Sequence, residues 1–129
     1  MSFIEYKDTV LYCEDISLKE LAEEYGTPLY VYSKQQILHN YRTINAAFGE
    51  TEHCVCYAVK ANSNPTILKM LAEEGAGADI VSAGELYLAL KSGFDPEKIV
   101  FAGVGKRDDE IEYALNKNIL MFNVESVPE

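Results

Sequence analysis

The sequence predicts an α/β fold, an amino-terminal arm followed by about four β/α units that make the first half of a parallel barrel. Three observations predict it. Short apolar runs alternate with capped, amphipathic segments along most of the chain. The expected strands start at 53, 78, 98 and 119, so successive starts are 25, 20 and 21 residues apart, close to one β/α repeat. Four of the helical patterns stop at a glycine, namely Gly26, Gly49, Gly75 and Gly93. A complete barrel of this kind takes ~250 residues. The 129 residues here therefore accommodate four strands, and an open sheet edge is expected to favour association or poor solubility.

The arm, residues 1–28, carries one short helix. Ser17-Leu18-Lys19-Glu20 is a capping box, in which the serine oxygen and the glutamate carboxylate take orphan backbone N–H groups. Leu18, Leu21, Ala22 and Tyr25 share one face of that helix, and Gly26 supplies its stop. Thr27-Pro28 breaks the pattern before a strand expected at Leu29-Tyr30-Val31-Tyr32, where the barrel region, residues 29–129, begins. Ser33-Lys34-Gln35-Gln36 opens a second capped helix, with Ile37, Tyr41, Ile44 and Phe48 on one face and Gly49 at its end.

The repeat itself begins with a strand from His53 to Val59. Asn64-Pro65 then gives a cap and first-turn pair for a helix carrying Ile67, Leu68, Leu71 and Ala72 up to Gly75. A short strand is expected around Ala78 to Val81. Ser82-Ala83-Gly84-Glu85 is a third capping box, heading a helix with Leu86, Ala89 and Leu90 before Gly93. Lys98 to Ala102 is the next strand. Asp108, Asp109 and Glu110 suit the positive end of a helix that buries Ile111, Ala114 and Leu115, and Ile119 to Val124 closes the series. Ser126-Val127-Pro128-Glu129 has the pattern of one more helix start, which suggests a segment of a longer barrel.

Composition narrows the classes of function. The chain is 48% hydrophobic and 25% charged, and no apolar stretch approaches the ~20 residues of a membrane helix. Its net charge of −10, with no basic stripe, argues against a nucleic-acid partner. Met1 to Asp8 shows neither a basic nor an apolar leader pattern, so the cytoplasm is the expected compartment. Cys54 and Cys56 lie two apart on one strand and share a face, a spacing that fits neither a thioredoxin motif nor a zinc knuckle, so reduced packing cysteines are expected.

Lys60 is the foremost site candidate. It closes the apolar run Cys54-Val55-Cys56-Tyr57-Ala58-Val59 and precedes the loop-like Ala61-Asn62-Ser63-Asn64, at the carboxyl end of a strand where β/α folds place their chemistry. A lysine amine that is partly desolvated is a nucleophile able to form a Schiff base; the plain alternative is a solvated lysine that ends a strand. Asp79, nineteen residues on, stands at the end of the next strand, where a carboxylate could hold the lysine or a ligand by a charge-assisted hydrogen bond; the plain alternative is an aspartate satisfied by backbone. Ser82 and Glu85 are explained by capping. Gly103-Val104-Gly105-Lys106-Arg107 is not a Walker loop, because Val100 and Arg107 stand where that pattern needs glycine and a hydroxyl residue. His39 and His53 lack the neighbours of a metal site, and no G-x-S-x-G elbow occurs.

Four separated motifs carry a resemblance. These are Glu23-Glu24-Tyr25-Gly26-Thr27-Pro28-Leu29-Tyr30-Val31-Tyr32; His53 to Asn64 with the core Tyr57-Ala58-Val59-Lys60-Ala61-Asn62; Asp79-Ile80-Val81-Ser82-Ala83-Gly84-Glu85-Leu86; and Phe101-Ala102-Gly103-Val104-Gly105-Lys106 ahead of Asn123-Val124-Glu125-Ser126. In order and spacing the chain resembles the group IV pyridoxal-phosphate decarboxylases of alanine racemase-like fold, and within them the branch acting on diaminopimelate. The resemblance implies an alanine racemase-like TIM barrel. It implies pyridoxal 5′-phosphate held covalently through Lys60 with Asp79 beside it, and decarboxylation of meso-2,6-diaminopimelate to L-lysine. It also implies a small amino-acid substrate and a homodimer.

Ala83 departs from the family's usual glycine. The family's glycine-rich phosphate loop, its ring-stacking histidine and its substrate arginine and cysteine fall beyond position 129. Weak cofactor binding and no turnover are therefore expected of residues 1–129 alone. Two alternatives stay open: a sibling acting on ornithine, arginine or carboxynorspermidine, and a non-catalytic half-barrel that binds an intact relative.

Overall fold

A computed structural model describes residues 3–129. Met1 and Ser2, the first residues of the expected arm, lie outside the described residues. The chain divides into two compact units at Thr43 and Ile44.

The first unit opens with an antiparallel meander of β1 (Ile4–Lys7), β2 (Val10–Cys13) and β3 (Ile16–Ser17), in which Ile4 pairs with Cys13 and Tyr12 with Ser17. The sequence reading expected only a helix in this arm. Its two turns contain no glycine; Asp8 (φ 58°) and Glu14 (φ 56°) take the left-handed conformations instead. α1 (Leu18–Tyr25) starts where expected, with Glu20 N–H donating to Ser17 Oγ at 3.3 Å. Tyr25 is 66% exposed and so does not join the apolar face assigned to it.

The strand expected at Leu29–Tyr32 is absent, although α2 (Lys34–Ala47) follows as foreseen. A strand needs a neighbour for its backbone groups, and no described strand pairs with these residues, so they run as irregular chain with Tyr30 86% exposed. α2 has a double cap. Gln36 N–H donates to Ser33 Oγ at 2.9 Å, while the Glu14 carboxylate accepts from Ser33 Oγ at 2.7 Å and from Gln35 N–H at 2.8 Å. Those two bonds, the Gln35 backbone bond foremost, hold Glu14 below the usual carboxylate range.

The second unit is the expected repeat. β4 (Cys56–Ala58), β5 (Gly77–Ile80), β6 (Ile99–Phe101) and β7 (Met121–Phe122) form a parallel sheet in chain order, connected by α3 (Pro65–Glu73), α4 (Ala83–Ser92) and α5 (Asp108–Leu115). Each strand is shorter than its apolar run. The run His53 to Val59 keeps three residues in the ladder, and Val59–Ala61 curl into a 3-10 turn.

Alternation sorts the sheet into two faces. Val59, Ala78, Ile80, Ile99 and Phe101 are completely buried with Leu68, Leu86, Ala89 and Ala114 of the helices. Burying each large side chain contributes ~2 kcal/mol, so this layer is what makes the half-sheet fold. The other face carries Cys56, Ala58, Gly77, Asp79, Val100 and Met121, in the register Ala58–Asp79–Val100–Met121, and is only half covered. At Gly77 even a methyl group would run into the Lys98 backbone carbonyl and lie 2.7 Å from Cys56 Sγ and 2.8 Å from Cys54 Sγ.

Residues 126–129 are the last of the chain. The Glu129 carboxylate accepts from Glu125 N–H at 2.8 Å and from the Lys106 ammonium.

Candidate functional site

Lys60 stands in the 3-10 turn that follows β4, anchored by the completely buried Val59 and with its own side chain exposed. The turn is tied on both sides. Tyr57 OH donates to the Asn62 carbonyl at 3.1 Å; Asn64 N–H donates to Asn62 Oδ1 at 3.0 Å; Thr66 N–H donates to Asn64 Oδ1 at 2.9 Å. The last of these is the N-cap of α3, with Pro65 in its first turn, so the helix start and the lysine turn form one hydrogen-bonded unit.

Asp79 is the third residue of β5 and pairs with Ala58, two residues before Lys60. The structure thus places both sequence-selected residues at the carboxyl end of adjacent parallel strands. Asp79 points away from the helices, because its neighbours Ala78 and Ile80 fill the buried layer. Its Oδ1 is buried and accepts no hydrogen bond among the described residues. A buried carboxylate oxygen without a donor is costly. It fits a cationic or N–H-bearing ligand group, or the Lys60 ammonium, as the missing donor. This oxygen is the observation by which the residues present fit a pyridoxal-type cofactor.

The loop after β5 is held by three side chains. Val81 N–H donates to Glu85 Oε2 at 2.8 Å, Glu85 N–H donates to Ser82 Oγ at 3.2 Å, and Ala83 N–H donates to Glu110 Oε1 at 2.9 Å. Ser82 and Glu85 therefore cap α4, with the reciprocal bond shifted by one residue from Ser82 N–H to Val81 N–H. Glu110 also takes Arg107 N–H at 3.3 Å, so one carboxylate serves the starts of α4 and α5.

Sequence reading missed Lys106. Its side chain is 1% exposed, and its ammonium donates to the carbonyls of Gly103 at 2.7 Å and Asn123 at 2.6 Å and to the Glu129 carboxylate. Three acceptors saturate its three protons, and Lys106 holds Glu129 below its ordinary pKa. The clamp joins the loops after β6 and β7. Its signal in the sequence is a lysine between a Gly-Val-Gly turn and a polar helix start.

Cys54 and Cys56 lie with sulfurs 3.7 Å apart. Burial first, then Cys54 and the Asp79 charge, push the Cys56 thiol up to about 12, so it stays protonated and unreactive at neutral pH.

Comparison with known proteins places the chain in a family. The family model described as pyridoxal-dependent decarboxylase, pyridoxal binding domain, matches residues 34–129. A diaminopimelate decarboxylase from Aquifex aeolicus is 55% identical over 127 residues, covering 98% of this chain and 30% of the relative. A crystal structure from Aquifex aeolicus superposes with TM-score 0.91 at 56% identity, covering 96% of this chain and 31% of that one. The diaminopimelate decarboxylase of M. jannaschii in complex with L-lysine gives TM-score 0.90 at 46% identity, with 97% and 30% covered. The chain spans about 30% of the length of the curated relatives it matches.

Proposed function

Because this chain belongs to the pyridoxal-dependent decarboxylases, through their pyridoxal-binding domain, we propose that it carries the amine-anchoring half of an active site that converts meso-2,6-diaminopimelate to L-lysine, the last step of lysine biosynthesis. The orphan oxygen of Asp79, one strand from the Lys60 turn, carries the reading. The names of the relatives favour diaminopimelate over ornithine, arginine or carboxynorspermidine, and the M. jannaschii relative binds L-lysine.

In this reading residues 1–28 are an arm and 29–129 the opening of the barrel, in a cytoplasmic homodimer. Lys60 Nζ holds pyridoxal 5′-phosphate. Bound there, that group supplies an electron sink for the charge left when a carboxylate departs as carbon dioxide. Asp79 Oδ1 would accept a hydrogen bond from the cofactor or from the Lys60 ammonium, which fixes orientation. Lys60 Nζ would also be the group placed to return a proton to the carbon that lost its carboxylate. The Tyr57, Asn62 and Asn64 bonds keep the backbone of that lysine still.

Carbon dioxide release by the full-length protein from diaminopimelate, ornithine, arginine and carboxynorspermidine, measured side by side, tests the reading. Diaminopimelate is expected to be preferred, and Lys60→Ala to lower turnover by about 10²–10⁴-fold. Preference for another substrate, or full activity without Lys60, overturns it. Residues 1–129 alone are expected to release none.

A further inference from the structure

The turn that presents Lys60 is closed by a single side-chain hydroxyl. Tyr57 lies three residues before Lys60, in β4, and its hydroxyl reaches over the 3-10 turn to the carbonyl of Asn62, two residues after Lys60, at 3.1 Å. The ring closed by this bond contains the lysine. Beyond it, Asn62 Oδ1 accepts from Asn64 N–H, and Asn64 Oδ1 from Thr66 N–H, so the far end of the ring is fastened to the first turn of α3. Val59, with no exposed surface, pins the near end. Lys60 has a long and exposed side chain with many rotamers, so the fold controls its amine chiefly through the direction in which Cβ leaves the turn.

We infer that Tyr57 is a positioning residue for Lys60, acting through the Asn62 carbonyl. Its hydroxyl fixes the turn so that the lysine leaves β4 toward the half-covered face on which Asp79 lies. The inference rests on Lys60 being the lysine that holds the cofactor. Side-chain burial alone does not require the hydroxyl, since phenylalanine would fill the same space; the bond to the turn does require it.

The test compares wild type and Tyr57→Phe in the full-length protein loaded with limiting pyridoxal 5′-phosphate. Borohydride reduction followed by peptide mapping reads the fraction of cofactor fixed on Lys60. Visible circular dichroism per fixed cofactor reads how uniformly it is oriented, and thermal melting shows that the variant is folded. The expected result is a folded variant with about fivefold less cofactor on Lys60, the factor one net hydrogen bond supports, and a smaller dichroic signal per cofactor. Unchanged fixation and an unchanged signal overturn the inference. Should Tyr57→Phe fail to fold, Tyr57→Met, which also fills the site without a donor for the Asn62 carbonyl, is held to the same two readouts. Fixation in wild type on lysines other than Lys60 overturns the underlying assignment instead, so the two failures are distinct.

Discussion

Asp79 Oδ1 is a buried acceptor with no donor among the described residues, and that single atom separates a structural from a functional reading of β5. A carboxylate retained for folding would have been given a partner. Asp79→Ala is accordingly expected to leave the unfolding midpoint of the cofactor-free protein within about 1 kcal/mol of wild type, or above it, while weakening cofactor binding. Denaturant titration and cofactor titration check the two halves; a strongly destabilised variant would show that the oxygen is structural.

Thiol chemistry gives a second prediction at this scale. Cys54 is exposed, Cys13 is buried, and both Cys13 and Cys56 have raised pKa values, burial being the first cause in each. Iodoacetamide at neutral pH is expected to modify Cys54 first, as peptide mapping would show. A thiol raised from 9.0 to about 12 favours the folded state fully below the unfolded value, and that contribution disappears as pH climbs through the interval between them.

The elements show where local chemistry decides structure and where it does not. The caps of α1, α3 and α4 could be read from Ser17, Asn64 and Ser82, because a cap is made by residues within a few positions of one another. Removing the α4 cap with Ser82→Ala is expected to cost ~1 kcal/mol in a denaturant titration. The meander β1–β3 was not legible, since its turns use Asp8 and Glu14 rather than glycine, and the failed strand at Leu29–Tyr32 was not, since pairing depends on residues far along the chain. Gly77 is the tightest point of β5. Gly77→Ala is expected to destabilise by ~1–3 kcal/mol, because the added methyl meets the Lys98 backbone carbonyl as well as two sulfurs. α2 carries a pH signature through Glu14, whose carboxylate is held below its ordinary range by Gln35 and Ser33. Its capping contribution is present above the unfolded value and is lost as pH falls through the lowered one, which a far-ultraviolet titration of Glu14→Gln against wild type would reveal.

For the molecule as a whole, the order β4-β5-β6-β7 and its connecting helices followed from the spacing of apolar runs, because a β/α repeat writes its period into the sequence. The site was half legible. Lys60 and Asp79 stood out by position at strand ends, whereas the Tyr57 latch and the Lys106 clamp depend on side chains meeting backbone carbonyls, which no pattern of types records. A parallel sheet ordinarily has both faces covered. Here one face is packed by helices and the other, bearing Asp79, is half open, in a chain that spans about 30% of its relatives' length.

The proposed chemistry depends first on Lys60, in the turn after β4. The direct measurement is borohydride reduction of the full-length protein with pyridoxal 5′-phosphate, followed by peptide mapping of every modified lysine. A single modified peptide containing Lys60, absent from Lys60→Ala, is the expected result. Cofactor spread over exposed lysines such as Lys19 and Lys69, with Lys60 unmodified, would contradict it.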